Sequence, residues 1–464
     1  MFDAKTYAER RQNLRQKVQS GGILLFLGNE EAPMNYFDNT YRYRQDSSFL
    51  YFFGLSQPGL AAIIDLDEGT DTIYGDDLTI DHVVWMGTHP TLAQNAEAAG
   101  VGKTGTSDQL VTRLQAAQAQ GRKIHFLPPY RADNKIKLFR WLALDPDDLG
   151  KSASVEFIRG VVNLRNIKSA EEIAEIEKAV NTTVDMHLAA MRMVRPGITE
   201  AEVAAAVHQV AQAAGGDISF PIIATINGQT LHNHYHGNTL KSGDLFLLDA
   251  GAETAMGYAG DMSSTMPVDA RFTDRQRVIY DIALASHNAA IEALKPGKRF
   301  LDIYKLSAQV IVEGMKDLGL MKGNARDAVE AGAHAMFFPC GLGHMMGLDV
   351  HDMEDLGEQY VGYTDTLKKE TELFGLKSLR LGRELDVGHV LTIEPGIYFI
   401  PELIDMWAAE KRHAQFLDFD NINEYRDFGG LRNEEDFVIT ETGCRLLGKP
   451  LPKSAEDVEA ESCN

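Results

Sequence analysis

The order of helix, basic-Pro-Gly turn and helix occurs twice in this chain. Arg195-Pro196-Gly197 interrupts the first copy, and Lys295-Pro296-Gly297 interrupts the second at a position 100 residues later. Capping boxes at 169–172, 199–202 and 273–276 predict where three of the helices begin. Apolar, strand-like segments follow each helix pair. We therefore predict an internal duplication in which two half-sheets lie side by side and helices cover one face.

The part of the chain before this duplication is predicted to be a separate domain. A length of 464 residues exceeds one ordinary core. The apolar runs 22–27 and 60–66 are bounded by Gly or acidic residues, as buried strands are. Residues 42–54 alternate polar and aromatic side chains and predict a strand with an aromatic core face. We expect an N-terminal α/β domain over 1–165 and a second domain over 166–464.

Composition excludes several classes of protein. The formal net charge is -22, from 45 Lys and Arg against 67 Asp and Glu, which argues against binding nucleic acid. Cys340, Cys444 and Cys463 are too few for a disulfide framework and favour a reducing compartment. The opening residues lack an apolar signal core, and no run is long enough to span a bilayer. We expect a cytoplasmic protein with no membrane partner.

Two acidic residues lie at the facing ends of a predicted hairpin. Asp249 ends the apolar run 245–248, and the glycines at 251, 257 and 260 before Asp261 suit a turn near 255. Because the two acids are an even number of positions apart, their side chains can share one face. Two buried carboxylates on one face repel each other unless a cation lies between them. This pair therefore favours a metal site.

Further candidate ligands occur in similar settings. Glu394 ends an apolar strand that Pro395 and Gly396 are expected to close, and Glu434 leads into another strand two residues after Arg432. The glycine-rich run 341–352 carries His344 and His351, which could hold a metal or carry a proton. From these residues alone, a glycine-rich turn with structurally bonded histidines remains an alternative. Four acids with one imidazole would suit Mn, Co, Zn or Fe.

The motifs LLDAG, YAGDMSST, GLGHMMG, TIEPGIY and LRNEED together resemble those of the pita-bread metallopeptidases, which include methionine aminopeptidase, prolidase and aminopeptidase P. The resemblance places the metal ligands of that family on Asp249, Asp261, His344, Glu394 and Glu434. It implies an α+β fold, with a C-terminal pita-bread domain of duplicated helix pairs over a curved antiparallel sheet. It also implies two divalent ions, with Mn expected and Co or Zn as alternatives. All five ligands are present, which disfavours the metal-free creatinase branch.

Residues 41–54, the linker at 164–179 and the VHD at 350–352 resemble aminopeptidase P and prolidase more than methionine aminopeptidase. This branch implies an N-terminal domain of aminopeptidase P type and release of the first residue from Xaa-Pro peptides by a hydroxide that two metals activate. A prolidase, which accepts dipeptides, is the alternative. A non-catalytic binding protein of the same fold is the alternative from another class. Family members also imply a homodimer or homotetramer, and we expect Trp85 in the core rather than at a neighbouring subunit.

The resemblance also implies roles around the metals. Glu394 would ligate and move a proton toward the leaving nitrogen, while His351 and His232 would hydrogen-bond the substrate and stabilise the developing oxyanion. Arg432 would orient a ligand carboxylate from behind. Cys340 stands where this branch usually has a histidine that contacts substrate, so we expect it at the substrate as well. The long segment 357–388 could be a lid, an oligomer contact or a surface excursion.

Overall fold

The computed structural model describes residues 1–462 as two compact units. One comprises Met1–Arg165 together with Met353–Tyr360, and the other comprises Asn166–Asp352 together with the chain from Val361 onward. Both units mix helices and strands, as predicted. Cys463 lies outside the described residues. Within residues 1–462, no helix is long and apolar enough to cross a membrane.

The N-terminal unit is built on a five-stranded mixed sheet of order β6-β5-β4-β1-β7. The strands of this unit are β1 (Ile23–Leu27), β2 (Pro33–Tyr36), β3 (Asn39–Thr40), β4 (Ala61–Asp65), β5 (Thr70–Tyr74), β6 (Thr104–Gly105) and β7 (Ile124–Phe126). Strands β2 and β3 pair with each other in a separate two-stranded sheet. Its helices are α1 (Ala4–Lys17), α2 (Ser47–Phe53), α3 (Ile80–Met86), α4 (Leu92–Ala98), α5 (Ser107–Ala119), α6 (Ala132–Leu142), α7 (Leu149–Ser152) and α8 (Val155–Arg165). The central strands β1 and β4 pair antiparallel. They are the two apolar runs that the sequence predicts as buried strands.

The prediction of an aromatic strand over 42–54 is wrong, because most of this stretch forms α2. The Asp46 side chain accepts a hydrogen bond from the backbone of Phe49 at 2.9 Å and so caps the helix. Gly54 ends it in the left-handed conformation, with φ of 70°. All residues of α2 are buried, so the segment lacks the one-sided periodicity that distinguishes a surface helix from a strand.

The expectation that Trp85 lies in the core is also wrong. Its side chain is 86% exposed, and no residue of α3 is buried. An indole ring is large and mostly apolar, which favours burial. However, α3 presents its apolar residues to solvent in this chain, and the sequence pattern gave no sign of that orientation.

From residue 166 onward, two helix pairs dominate the chain. The helices are α9 (Ala170–Met193), α10 (Glu200–Ala213), α11 (Asp274–Ala293), α12 (Phe300–Asp317), α13 (Ala325–Glu330), α14 (Glu358–Val361), α15 (Pro401–Glu410), α16 (Phe419–Asn423) and α17 (Ala455–Ser462). Helix α9 packs against α10, and α11 packs against α12. The three predicted capping boxes are confirmed at Ser169, Thr199 and Thr273. Each helix pair turns at a Pro-Gly whose glycine, Gly197 or Gly297, has positive φ.

Each helix pair covers its own antiparallel three-stranded sheet, and the predicted duplication is thereby confirmed. The strands of this unit are β8 (Asp217–Ile218), β9 (Ile223–Thr225), β10 (Leu245–Ala250), β11 (Ala252–Glu253), β12 (Met262–Pro267), β13 (Val390–Ile393), β14 (Gly396–Tyr398), β15 (Gly430–Arg432), β16 (Glu435–Ile439) and β17 (Cys444–Leu446). Strand β8 pairs with β11 and β14 with β15 in two-stranded sheets. The sheet orders are β12-β10-β9 and β13-β16-β17. Helix α9 contacts β10 and β12, and α11 contacts β13.

Candidate metal centre

The two sheets bring the predicted ligands to one cavity of about 220 Å³. Five side chains that line it are the proposed ligands Asp249, Asp261, His344, Glu394 and Glu434. In the register of β10 and β12, Asp249 pairs with Ser263. Asp261 lies two residues before Ser263 and therefore on the same face of the sheet as Asp249. The even spacing of the two acids thus does bring them to one side of the hairpin.

Three of these side chains form a compact cluster. Asp261, His344 and Glu434 each offer a ligand atom, and these atoms lie within 4.8 Å of one another. Nε2 of His344 is 3.3 Å from Oδ2 of Asp261 and 3.8 Å from Oε1 of Glu394. The Nδ1 of His344 donates to the carbonyl of Met345 at 3.1 Å. This bond places the proton on Nδ1 and leaves the Nε2 lone pair directed at the acids, as metal ligation requires.

The acids of the cluster are buried close together, an arrangement that fits divalent cations. Burial raises the pKa of Asp261 to about 8, and the charge of Asp249 acts in the same direction. Burial also raises the pKa of Glu434, and the charge of Asp261 adds to the effect. Among the described residues, Oδ1 of Asp261 and Oε1 of Glu434 have no hydrogen-bond partner. Buried carboxylate oxygens that lack donors are suited to a cation.

Arg432 joins two of the acids through a buried network. Its guanidinium forms an ion pair with Asp249 and donates to the hydroxyls of Ser263 and Tyr398, both at 2.8 Å. Ser263 in turn donates to Oε2 of Glu434 at 2.8 Å. The sequence did not reveal Tyr398, because we expected the strand to close at Pro395. In the structure pairing resumes in β14, and Gly396 lies opposite Arg432.

The predicted substrate residues line the same cavity. The ring of His351 lies 4.3 Å from that of His344, centroid to centroid, in a T-shaped arrangement. His232 is exposed and Cys340 is half-buried, and both contribute to the cavity wall. Burial raises the pKa of the Cys340 thiol to about 12, with the charge of Glu394 acting in the same direction. Cys340 is therefore a neutral thiol at physiological pH.

Further lining residues were not selected from the sequence. Arg380 adds a cation to the wall. It belongs to the long segment 357–388, in which its neighbours Leu379 and Leu381 are fully buried. At least this part of the segment is core rather than a surface excursion, and the alternation of leucine with arginine was the available signal. The apolar part of the wall consists of Phe220, Pro221, Ile223, Leu231 and Val350.

Comparison with known proteins places the chain in a class. Residues 174–441 match the family model of metallopeptidase family M24, and residues 7–125 match that of the aminopeptidase P N-terminal domain. The first match covers more than half of the chain, so the chain belongs to metallopeptidase family M24. Membership of this family implies divalent metal ions, and the donor set described above fits them. The predicted family and fold class are confirmed.

Among individual proteins, the chain is similar to enzymes with two different activities. It is 31% identical over 473 residues to an Xaa-Pro aminopeptidase of Escherichia coli strain K12, with 98% of this chain and 96% of the relative covered. It is 29% identical over 479 residues to an Xaa-Pro dipeptidase of Homo sapiens, with 98% and 92% covered. A solved structure of E. coli aminopeptidase P with the inhibitor Pro-Leu superposes with a TM-score of 0.81 at 28% identity, covering 100% of this chain and 98% of that one.

Proposed function

We propose that this chain releases the N-terminal residue from peptides whose second residue is proline. The observation that carries the proposal is the convergence of four carboxylates and the imidazole of His344 on a single cavity. Two divalent ions would be held by Asp249, Asp261, His344, Glu394 and Glu434, with Mn expected and Co or Zn as alternatives. When bound, such ions polarise a peptide carbonyl and lower the pKa of water.

The surrounding side chains have complementary tasks. Burial raises the pKa of Glu394, so its carboxylate can accept a proton and pass it to the leaving proline nitrogen. His351 and His232 would donate hydrogen bonds to the scissile carbonyl or the proline side of the substrate. Arg432 holds the carboxylate of Asp249 in place through their ion pair. Cys340 would contact substrate as a neutral thiol in the cavity wall.

A second candidate, hydrolysis of Xaa-Pro dipeptides alone, is favoured by Arg380. Arg380 lines the cavity, its positive charge acts on Asp261 and Glu394, and a dipeptide ends in a free carboxylate at proline. Guanidinium and carboxylate pair strongly because their geometries match. A longer peptide has a neutral amide at that position and gains less from the same contact. The Xaa-Pro dipeptidases among the relatives agree with this candidate.

A paired assay tests these proposals. Metal-free chain is reloaded with Mn and offered an Xaa-Pro dipeptide and an Xaa-Pro-Yaa tripeptide. Arg380→Met should lower kcat/KM for the dipeptide about 10- to 100-fold, the value of a hydrogen-bonded charge contact, and change that for the tripeptide little. Lys377→Met, a nearby exposed cation, is the control. Cleavage of neither peptide with two metals bound would refute the peptidase proposal and favour the non-catalytic binding protein.

We also propose that the chain forms a homodimer or homotetramer. Helix α3 supports this, because Ile80, Val84 and Trp85 are between 72% and 86% exposed and large exposed apolar patches favour protein contacts. Val84→Glu should lower the mass measured by light scattering. Val278→Glu, at a less exposed apolar position on α11, serves as the control. An unchanged mass for Val84→Glu would argue against this surface as the interface.

A further inference from the structure

A buried ion pair lies beside the cavity without belonging to the proposed ligand set. Nζ of Lys168 is 2.8 Å from Oδ2 of Asp352, and each side chain is only 1% exposed. Lys168 immediately precedes Ser169, the N-cap of α9, and Asp352 immediately follows His351. Burying two charges is costly in desolvation, so such a pair is weak evidence of stability, and in some proteins buried polar pairs specify a conformation instead.

The ion pair lies at the end of a compact loop that follows His344 and includes His351. The backbone N–H of Asp352 donates to the carbonyl of Met345 at 2.8 Å, and that of Gly347 donates to Asp349 at 3.0 Å. His344 lies just before this loop, and His351 lies at its end. Asp352 directly follows His351, so the backbone position of Asp352 constrains that of His351.

The backbone of the loop lies directly against the ion pair at Gly347. A Cβ atom at Gly347 would lie 2.8 Å from Oδ2 of Asp352 and 3.0 Å from Cε of Lys168. A side chain at position 347 would therefore have to displace the paired ends of Asp352 and Lys168, which the glycine leaves in contact. Lys168 is itself fixed, because its N–H donates to the carbonyl of Gly388 at 2.9 Å. Movement of the loop is thereby restricted from the side of α9.

The two histidines share one backbone contact, because the carbonyl of Met345 accepts from Nδ1 of His344 and from the N–H of Asp352, but His344 also has anchors of its own. The carbonyl of His344 accepts from the N–H of Thr392 at 3.0 Å, and its N–H donates to the Thr392 hydroxyl at 3.3 Å. His344 is therefore held by β13. The contact of Lys168 with Asp352 acts at the other end of the loop, next to His351.

We propose that the Lys168–Asp352 ion pair is a positioning device that sets His351 over the cavity for substrate while leaving the metal ligands in place. The inference rests on the proposed peptidase function, in which His351 contacts substrate. It assigns to the side chains of Lys168 and Asp352 an effect on turnover that acts through His351.

The test combines Asp352→Asn with His351→Ala. In the otherwise unchanged chain, Asp352→Asn should lower kcat/KM for an Xaa-Pro peptide about 10- to 100-fold, as small displacements of positioned groups do. In the His351→Ala background it should cause less than about a twofold further loss. Mn affinity measured by calorimetry should change less than about twofold. Equal losses in both backgrounds, or a parallel loss of Mn affinity, would overturn the proposal.

Two further variants distinguish a positioning effect from a loss of activity caused by misfolding. Lys168→Met combined with Asp352→Leu removes both charges and fills the space with apolar atoms, and it should reproduce the activity loss of Asp352→Asn. Full activity of this double variant would contradict the proposal. Lys178→Met, which removes an exposed lysine paired with Glu175, should leave kinetics unchanged and serves as the control.

Crystal structures separate failure of this inference from failure of the proposed function. The centroid separation of the His344 and His351 rings is 4.3 Å in the wild-type chain, and it should change by about 1 Å in Asp352→Asn. This measurement does not require activity. An unchanged separation would refute the positioning role even if the wild-type chain cleaves Xaa-Pro peptides. A changed separation in a chain without peptidase activity would refute only the proposed function.

Discussion

Arg432→Met should destabilise the metal-free chain severely. Arg432 is 3% exposed, and its guanidinium contacts Asp249, Ser263 and Tyr398. Methionine fills much of its volume but supplies no charge and no donor. The Asp249 carboxylate then remains buried beside three other acids. Removing one partner of a buried ion pair costs about 3–5 kcal/mol, which we expect as the loss in free energy of unfolding.

The same substitution should be less harmful once metal is bound. Divalent ions held by the acids take up the negative charge that Arg432 otherwise compensates, and ligands of the native state stabilise it by mass action. Denaturant unfolding in EDTA and in excess Mn measures both free energies. We predict that Mn stabilises Arg432→Met more than it stabilises the wild-type chain.

The control is Arg445→Met, which removes an ion pair with Glu177. The two side chains of that pair are 49% and 31% exposed, so its removal should cost no more than about 1 kcal/mol. Two results would contradict this prediction. One is a metal-free loss for Arg432→Met no larger than that for Arg445→Met, and the other is an equal loss with and without Mn.

Three further predictions concern separate features of the chain. Gly343→Ala should abolish tight Mn binding in calorimetry, because the new Cβ would lie 2.0 Å from the carbonyl of Thr392 and displace His344. The control, Gly443→Ala, should bind Mn normally, because the atom nearest to its Cβ is 3.8 Å away. Burial lowers the pKa of His334 to about 3, so below the unfolded pKa of about 6.5 only the unfolded state takes up the proton. Stability therefore falls by about 2 kcal/mol per such group from pH 7 to pH 5. His334→Gln should lose about that much less than the wild-type chain in urea unfolding, and an equal loss would contradict it. Cys340→His should add a limb between about pH 6 and 7 to the profile of kcat/KM, because imidazole titrates there and the buried thiol does not; a superimposable profile would show that position 340 does not act on substrate.

Local signals in the sequence predicted a large part of the fold. Capping boxes at Ser169, Thr199 and Thr273 start helices where expected, because the signal lies within four consecutive residues. The hairpin that carries Asp249 and Asp261 follows from even spacing and glycines. By contrast, α2 was predicted as a strand, because a helix that is buried on all sides carries no periodicity.

The sequence pattern did not predict the long-range contacts. Tyr398 reaches Arg432 across the pairing of β14 with β15, which depends on how the chain resumes after Pro395. Lys168 and Asp352 are 184 residues apart and meet only in the folded unit. The exposure of Trp85 is a property of how α3 lies on the surface. No spacing rule connects such residues, since tertiary packing alone brings them together or apart.

We propose that five strand-end and loop residues hold two divalent ions and that these ions make the chain an Xaa-Pro peptidase. Calorimetric titration of the metal-free chain with Mn, with Xaa-Pro hydrolysis measured on the same samples, tests it most directly. We predict two ions per chain and activity that rises with loading, and we predict that Asp261→Asn loses both tight binding and hydrolysis. A wild-type chain that binds no Mn in the cavity, or that binds two ions and hydrolyses neither dipeptide nor tripeptide, would contradict the account.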